Sequence, residues 1–230
     1  MIIPEAYHHM HPMGDSTYVA VDPAVNDVSG LVYIHIPKNA SCWTKYHLDS
    51  LKSVGYNYYH QGFDARKNLA LVILRDPMER WVSAMGQILV GNRPDYYLYI
   101  DNLDWNQITS KIIRNNHTQP QHEFFANIPH DRIVWFRCDD SLKDHFNSFL
   151  KEYNFNVKFL SEENDVHNLF NVTKKVAEQV INDFKTPRQQ EIIDKILSKL
   201  DQHPEYRERI KNLYQQDYEF LNSVPYYEPR

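Results

Sequence analysis

Two apolar runs, Leu31-Val32-Tyr33-Ile34-His35-Ile36 and Leu69-Ala70-Leu71-Val72-Ile73-Leu74, constrain this chain most. Each ends abruptly in a turn that carries a cation and leads straight into a helical pattern. Runs of this kind, with little polar alternation, suit strands buried on both faces, as in a parallel sheet covered by helices. A third run, Arg132-Ile133-Val134-Trp135-Phe136, is followed by Ser141 and a helical stripe of Leu142, Phe146, Phe149 and Leu150. Strands alternate with helices and no hairpin turn joins them. We therefore expect an α/β fold, a parallel central sheet flanked by helices. Ligands of such sheets bind at the carboxyl ends of the strands, where both cationic turns fall.

The first turn is Pro37-Lys38-Asn39-Ala40-Ser41, and a helix is expected after it over about 41–54, with Trp43, Tyr46, His47, Leu48 and Leu51 at helical spacing. The amides of residues 40–44 and the positive end of the helix dipole make an anion site. A nucleoside-triphosphate loop would read G-x-x-x-x-G-K-[ST], with the lysine at its far end. Here the lysine comes first, glycine is absent, and Trp43 closes the turn. The second turn is Arg75-Asp76-Pro77-Met78-Glu79-Arg80. Asp76 is placed to cap a helix, with Pro77 at its first position and Glu79 at its third, and the helix should run to about Val90. Arg75 and Ser83, about two turns into that helix, are spaced to converge on a phosphate, the arginine as a fork and the serine as a neutral donor. Arg80 is expected to brace this second turn. Two anion sites on neighbouring strands imply a ligand with two separated anionic groups.

The remaining chain fits one domain over 1–230: an irregular arm over 1–30, the α/β core over 31–153, and a helical part over 173–222. A helix is expected from Asp104 to about Arg114 with Trp105, Ile108 and Ile112 on one face. Thr118-Gln119-Pro120-Gln121 has capping-box spacing and should open a helix through about Asn127. Further helices are expected over 174–185, from Thr186-Pro187, and from Pro204 to about Asn222. A net charge of −5 argues against a general nucleic-acid surface. Cys42 and Cys138 are too few for a disulfide framework or a thiolate zinc site, and both should be reduced. His8, His9 and His11 have no grouped carboxylate or thiolate, so no metal is expected there. No signal-type segment occurs in the first thirty residues and no apolar run nears the ~20 residues that span a bilayer. These features lead us to expect a cytoplasmic protein with no membrane partner.

The two turns carry a resemblance. I-P-K-N-A-S-C-W resembles the 5′-phosphosulfate loop of sulfotransferases that use 3′-phosphoadenosine 5′-phosphosulfate (PAPS), and R-D-P-M-E-R-W-V-S resembles their 3′-phosphate motif. The likeness is good over about 31–90. Beyond it, His117-Thr118-Gln119-Pro120-Gln121 is similar to an H-x-x-P-Q segment of carbohydrate sulfotransferases, and Leu213-Tyr214-Gln215-Gln216-Asp217-Tyr218 is similar to their Y-x-x-D tail.

The resemblance implies a P-loop NTPase-like sulfotransferase fold with PAPS as cofactor, 3′-phosphoadenosine 5′-phosphate (PAP) as product, and no metal. It implies cofactor contacts from Lys38, Asn39, Ala40, Ser41, Cys42, Trp43, Arg75 and Ser83, with Trp43 stacked on adenine. Lys38 would also stabilise charge on the departing 5′-phosphate oxygen. His60 lies where related carbohydrate sulfotransferases carry a base histidine, and we take it as the general base. His117 is the second candidate, although the Thr118 capping box already explains its segment; His122 and Glu123 follow. His35, within the first strand, is expected to be buried and hydrogen-bonded. A glycan hydroxyl is the acceptor we expect, with a small molecule or a peptide tyrosine left open; Tyr96, Tyr97, Tyr99 and Trp105 are available to stack on sugar rings. Two other readings stand beside this one. A P-loop-type kinase would need the missing G-K-[ST], and a non-catalytic glycan-binding protein would keep the cofactor loop as a relic.

Overall fold

In the computed structural model the three apolar runs lie side by side as the parallel heart of a five-stranded sheet. The structure describes residues 17–20, 30–40, 44, 58–59, 66, 68–92, 100–113, 116–152 and 187–230. The helix expected over 41–54, Thr44 apart, and the one over 174–185 lie outside them, as do Ser41, Cys42, Trp43 and His60. The strands are β1 (Thr17–Ala20), β2 (Gly30–Tyr33), β3 (Tyr58–Tyr59), β4 (Asn68–Leu74) and β5 (Ile133–Arg137), in the order β3-β1-β2-β4-β5. β2, β4 and β5 are parallel, with Leu31 opposite Leu69 and Val72 opposite Trp135.

One edge departs from expectation. β1 pairs antiparallel with β2, and β3 antiparallel with β1, so the sheet is mixed. The stretch over 1–30 is therefore not wholly an irregular arm. Thr17–Ala20 enters the sheet through main-chain pairing, which leaves no mark in a short sequence without sustained period. At the other edge the C-terminal tail extends the sheet: Tyr226 bridges Trp135 in parallel, and Tyr227 N–H donates to the Trp135 carbonyl at 2.9 Å.

The parallel strands are apolar throughout because both faces are covered. Leu31, Tyr33, Leu71, Ile73 and Phe136 face helix α3 (Leu142–Glu152), packing on Leu142, Phe146, Phe149 and Leu150. Their alternates, Val32, Ile34, Ala70, Val72, Leu74 and Trp135, face Phe124, Phe125, Ile128 and Leu221. A second, all-helical core joins α1 (Pro77–Asn92), α2 (Trp105–Ser110), α4 (Pro187–Gln202) and α5 (Pro204–Leu213), with Trp81, Met85, Trp105, Ile196 and Ile210 buried in it. No helix among the described residues is long and apolar enough to cross a membrane.

Three expected helices come out differently. Asp104 caps α2 as anticipated, accepting from Gln107 N–H at 3.0 Å. The helix nevertheless stops at Ser110, and Ile113 rather than Ile112 is buried. The Thr118 segment forms no capping box: Thr118 Oγ1 donates to the Ile113 carbonyl at 2.6 Å, and only a short 3₁₀ turn follows over Gln121–Phe124. The helix expected from Pro204 to about Asn222 breaks at Tyr214, giving α5 and α6 (Gln215–Ser223).

Candidate active site

Both cationic turns sit at the carboxyl ends of adjacent strands, β2 and β4. In the first, Asn39 N–H closes a tight turn onto the Ile36 carbonyl at 3.2 Å. Lys38 and Ala40 have positive φ, 72° and 54°, without being glycine. Left-handed backbone at such residues costs about 1–3 kcal/mol each and gathers at functional sites. Alternation of this kind turns successive amides toward one concavity, a nest suited to an anion. Thr44 holds the far side, its N–H and Oγ1 both reaching the Ala40 carbonyl, at 2.9 and 3.1 Å.

The second turn begins where β4 leaves the sheet. Asp76 caps α1 by accepting from Glu79 N–H at 3.0 Å. Glu79 does not return the bond to the Asp76 amide; its carboxylate pairs with Arg75 Nε at 3.3 Å. Arg75 Nη1 crosses to the Lys38 carbonyl at 3.0 Å, so the second turn holds the first directly. Nη2 of Arg75 has no partner among the described residues. Ser83 is half-buried on α1, eight residues after Arg75.

Arg80 is 1% exposed and braces more than the turn it belongs to. Nε donates to the Pro37 carbonyl at 3.0 Å, Nη1 to the Gln119 carbonyl at 2.6 Å and Nη2 to the Asn116 carbonyl at 3.2 Å. The guanidinium also lies over Phe124, 5.9 Å from the ring centroid. Burial lowers its pKa to about 10. Its donors are committed to main chain on two segments, which leaves it a structural cation.

In sequence His117 falls between Asn116 and Gln119, two of the three residues whose carbonyls Arg80 grips. Burial first, then the charges of Lys38, Arg80 and His35, lowers its pKa to about 4. The imidazole is thus neutral near pH 7 in a cationic corner beside the first turn. His122 faces the other way: its Nδ1 lies 2.7 Å from Asp217 Oδ1, and that hydrogen bond raises its pKa. Glu123 is exposed and accepts from Gln119 Nε2 at 2.8 Å. His35 is half-buried against Tyr33, ring centroids 6.3 Å apart. Cys138 is free and half-buried just past β5, its thiol pKa pushed up by burial.

Several polar side chains are buried in partnerships that the sequence did not foretell, Asn39 among them although it was expected as a cofactor contact. Asn39 is fully buried; Nδ2 donates to the Ile73 carbonyl at 2.7 Å and to Gln121 Oε1. Its side-chain amide is thus committed to β4 and Gln121, and its main-chain N–H to the Ile36 carbonyl. Oδ1 of Asn39 is buried without a hydrogen-bond partner. Gln121 in turn bonds Arg75, and Asp217 and Tyr214 of the broken C-terminal helix hold the Thr118–Gln121 stretch, Tyr214 through its hydroxyl on the Thr118 carbonyl. The H-x-x-P-Q and Y-x-x-D segments were visible in the sequence as separate likenesses. That they meet was not.

A parallel α/β core with a cation-bearing turn at the carboxyl end of each of two adjacent strands is an arrangement suited to an anionic ligand. The chain belongs to the sulfotransferase family, whose profile matches residues 22–226. No curated protein and no solved structure matches it significantly.

Proposed function

We propose that this sulfotransferase moves a sulfuryl group from PAPS to an acceptor hydroxyl on a carbohydrate. The observation that carries the reading is the joined pair of turns, with Arg75 Nη1 on the Lys38 carbonyl at the mouths of adjacent parallel strands. The residues present suit a ligand with two anionic groups. Lys38 and the left-handed turn would hold the 5′ end, with Ser41, Cys42 and Trp43 following in sequence; Arg75, through Nη2, and Ser83 would hold the 3′-phosphate.

When bound, PAPS supplies an activated sulfuryl group that leaves its 5′-phosphate oxygen as the acceptor oxygen bonds to sulfur. Lys38 would stabilise the charge that collects on that departing oxygen. The acceptor proton passes to a histidine. His60 is the residue we assign as base, on its likeness in position to the base of related carbohydrate sulfotransferases. His117 is a second reading, favoured by its neutral imidazole beside Lys38. A pKa of about 4 makes it a weak proton acceptor near neutral pH. The likeness of the His117–Gln121 and Leu213–Tyr218 segments to carbohydrate sulfotransferases supports a sugar hydroxyl as acceptor.

Calorimetry with PAP and AMP tests the cofactor. PAP should bind more tightly; Arg75→Ala should abolish the difference, and Lys38→Ala should weaken both ligands; equal affinities in the unaltered protein would sink the reading. Labelled PAPS with a panel of glycans, phenols and small alcohols tests the acceptor, with transfer expected to glycans. His60→Ala should keep PAP affinity and slow turnover by ~100-fold or more. Unchanged turnover there, with a loss in His117→Ala, would transfer the role to His117.

A further inference from the structure

One carboxamide ties both anion turns together, and nothing in the reaction itself requires it. Gln121 is 1% exposed and belongs to neither turn. Its Oε1 accepts from Arg75 N–H at 3.0 Å and from Asn39 Nδ2, while its Nε2 donates to the Arg75 carbonyl at 2.8 Å. It therefore pairs with both main-chain groups of Arg75, as a neighbouring strand would, at the point where β4 has left the sheet. Through Asn39 it reaches the residue set between the two left-handed positions of the first turn. Asn39 closes the loop by bonding the Ile73 carbonyl of β4.

Gln121 is itself held from behind. Asp217, 2% exposed, accepts from Gln121 N–H at 2.7 Å, from His122 N–H at 3.0 Å and from the His122 ring. Two carboxylate oxygens thus lock the start of the 3₁₀ turn, which limits where the Gln121 side chain reaches. The link from α6 through Asp217 and Gln121 to both turns is continuous, and each contact in it is buried or half-buried.

We propose that Gln121 is a positioning residue that sets the spacing between the two anion turns, and that Asp217 fixes Gln121 in that role. The consequence is selectivity for a ligand with two phosphate groups at one separation. A bisphosphate gains from both turns only when both meet it at once, and that gain disappears when their spacing wanders. A monophosphate uses one turn and is indifferent to the spacing. This inference rests on the PAPS reading and gives it a determinant outside the binding residues.

The test is a pair of titrations, PAP and AMP, on the unaltered chain, on Gln121→Met and on Asp217→Asn. Gln121→Met fills similar volume without the hydrogen bonds, and Asp217→Asn touches neither turn. The preference for PAP over AMP should fall roughly tenfold in Gln121→Met and by about threefold or more in Asp217→Asn, with AMP affinity nearly constant. Equal losses for both ligands would mean a merely structural role and overturn the proposal. So would an unchanged preference in the folded variants; if Gln121→Met does not fold, Asp217→Asn decides alone. An unaltered chain that binds PAP no better than AMP would instead remove the PAPS reading, and this inference with it.

Discussion

Arg80 gives the sharpest test of how the turns are held. Its guanidinium makes three hydrogen bonds to carbonyls on two separate segments, at 2.6, 3.0 and 3.2 Å. Bonds from a charged donor contribute roughly 1.5–3 kcal/mol each, or about 5–9 kcal/mol together. Against this stands the burial of the cation, which lowers its pKa from 12.5 to about 10. A shift of that size corresponds to about 3 kcal/mol, so the side chain should stabilise the fold by roughly 2–6 kcal/mol. Arg80→Met removes the bonds and the buried charge together and should cost that amount. Arg80→Lys keeps the charge but has no fork able to span Pro37, Asn116 and Gln119, so it should be no more stable than the methionine variant. Urea unfolding at pH 7 measures both, with an unchanged denaturant slope confirming a like-for-like comparison. A lysine variant within about 1 kcal/mol of the unaltered chain would refute the argument, because charge rather than fork geometry would then be doing the bracing.

The His122–Asp217 pair should make stability depend on pH. The raised His122 pKa means its contribution is complete below the unfolded value near 6.5 and is lost as pH rises through the folded value. Unfolding at pH 6 and 8 should show this decline, and His122→Gln should flatten it; an unaltered slope would contradict the assignment. Ala40, at φ 54°, should tolerate glycine within ~1 kcal/mol but lose about 1–3 kcal/mol on substitution by valine, whose branched side chain disfavours positive φ. Thermal denaturation of the two variants checks the difference. Gly86 of α1 faces α4, and a Cβ there would lie 2.8 Å from Ile193 Cγ1. Gly86→Leu should therefore cost about 1–3 kcal/mol by overpacking, read as a lowered urea midpoint. A neutral result would mean the α1–α4 contact yields easily.

Much of this protein was legible from its residues. The apolar runs at Leu31–Ile36 and Leu69–Leu74 determined a sheet covered on both faces, because strands in contact with helices on each side tolerate little polar alternation. Asp76 and Asp104 marked helix starts through local chemistry, and the Leu142-Phe146-Phe149-Leu150 stripe marked the face that α3 buries. Lys38 and Arg75 were found as strand-end cations for the same reason: their signals lie within a few residues of chain.

The tertiary structure decided what those cations are attached to. Gln121 meets Asp217 across 96 residues and Asn39 across 82, and a carboxamide or carboxylate in sequence carries no sign of its partner. Arg80 bonds main-chain carbonyls, which every residue possesses, so no pattern could name Pro37, Asn116 and Gln119. The same is true of Thr17–Ala20, which joins the sheet through backbone alone. The break at Tyr214 overrode a continuous helical pattern, and a single helix would have read as well on propensity. Local periodicity set the strands, the caps and the two cationic turns; long-range hydrogen bonding between buried polar groups set the spacing at which those turns are held.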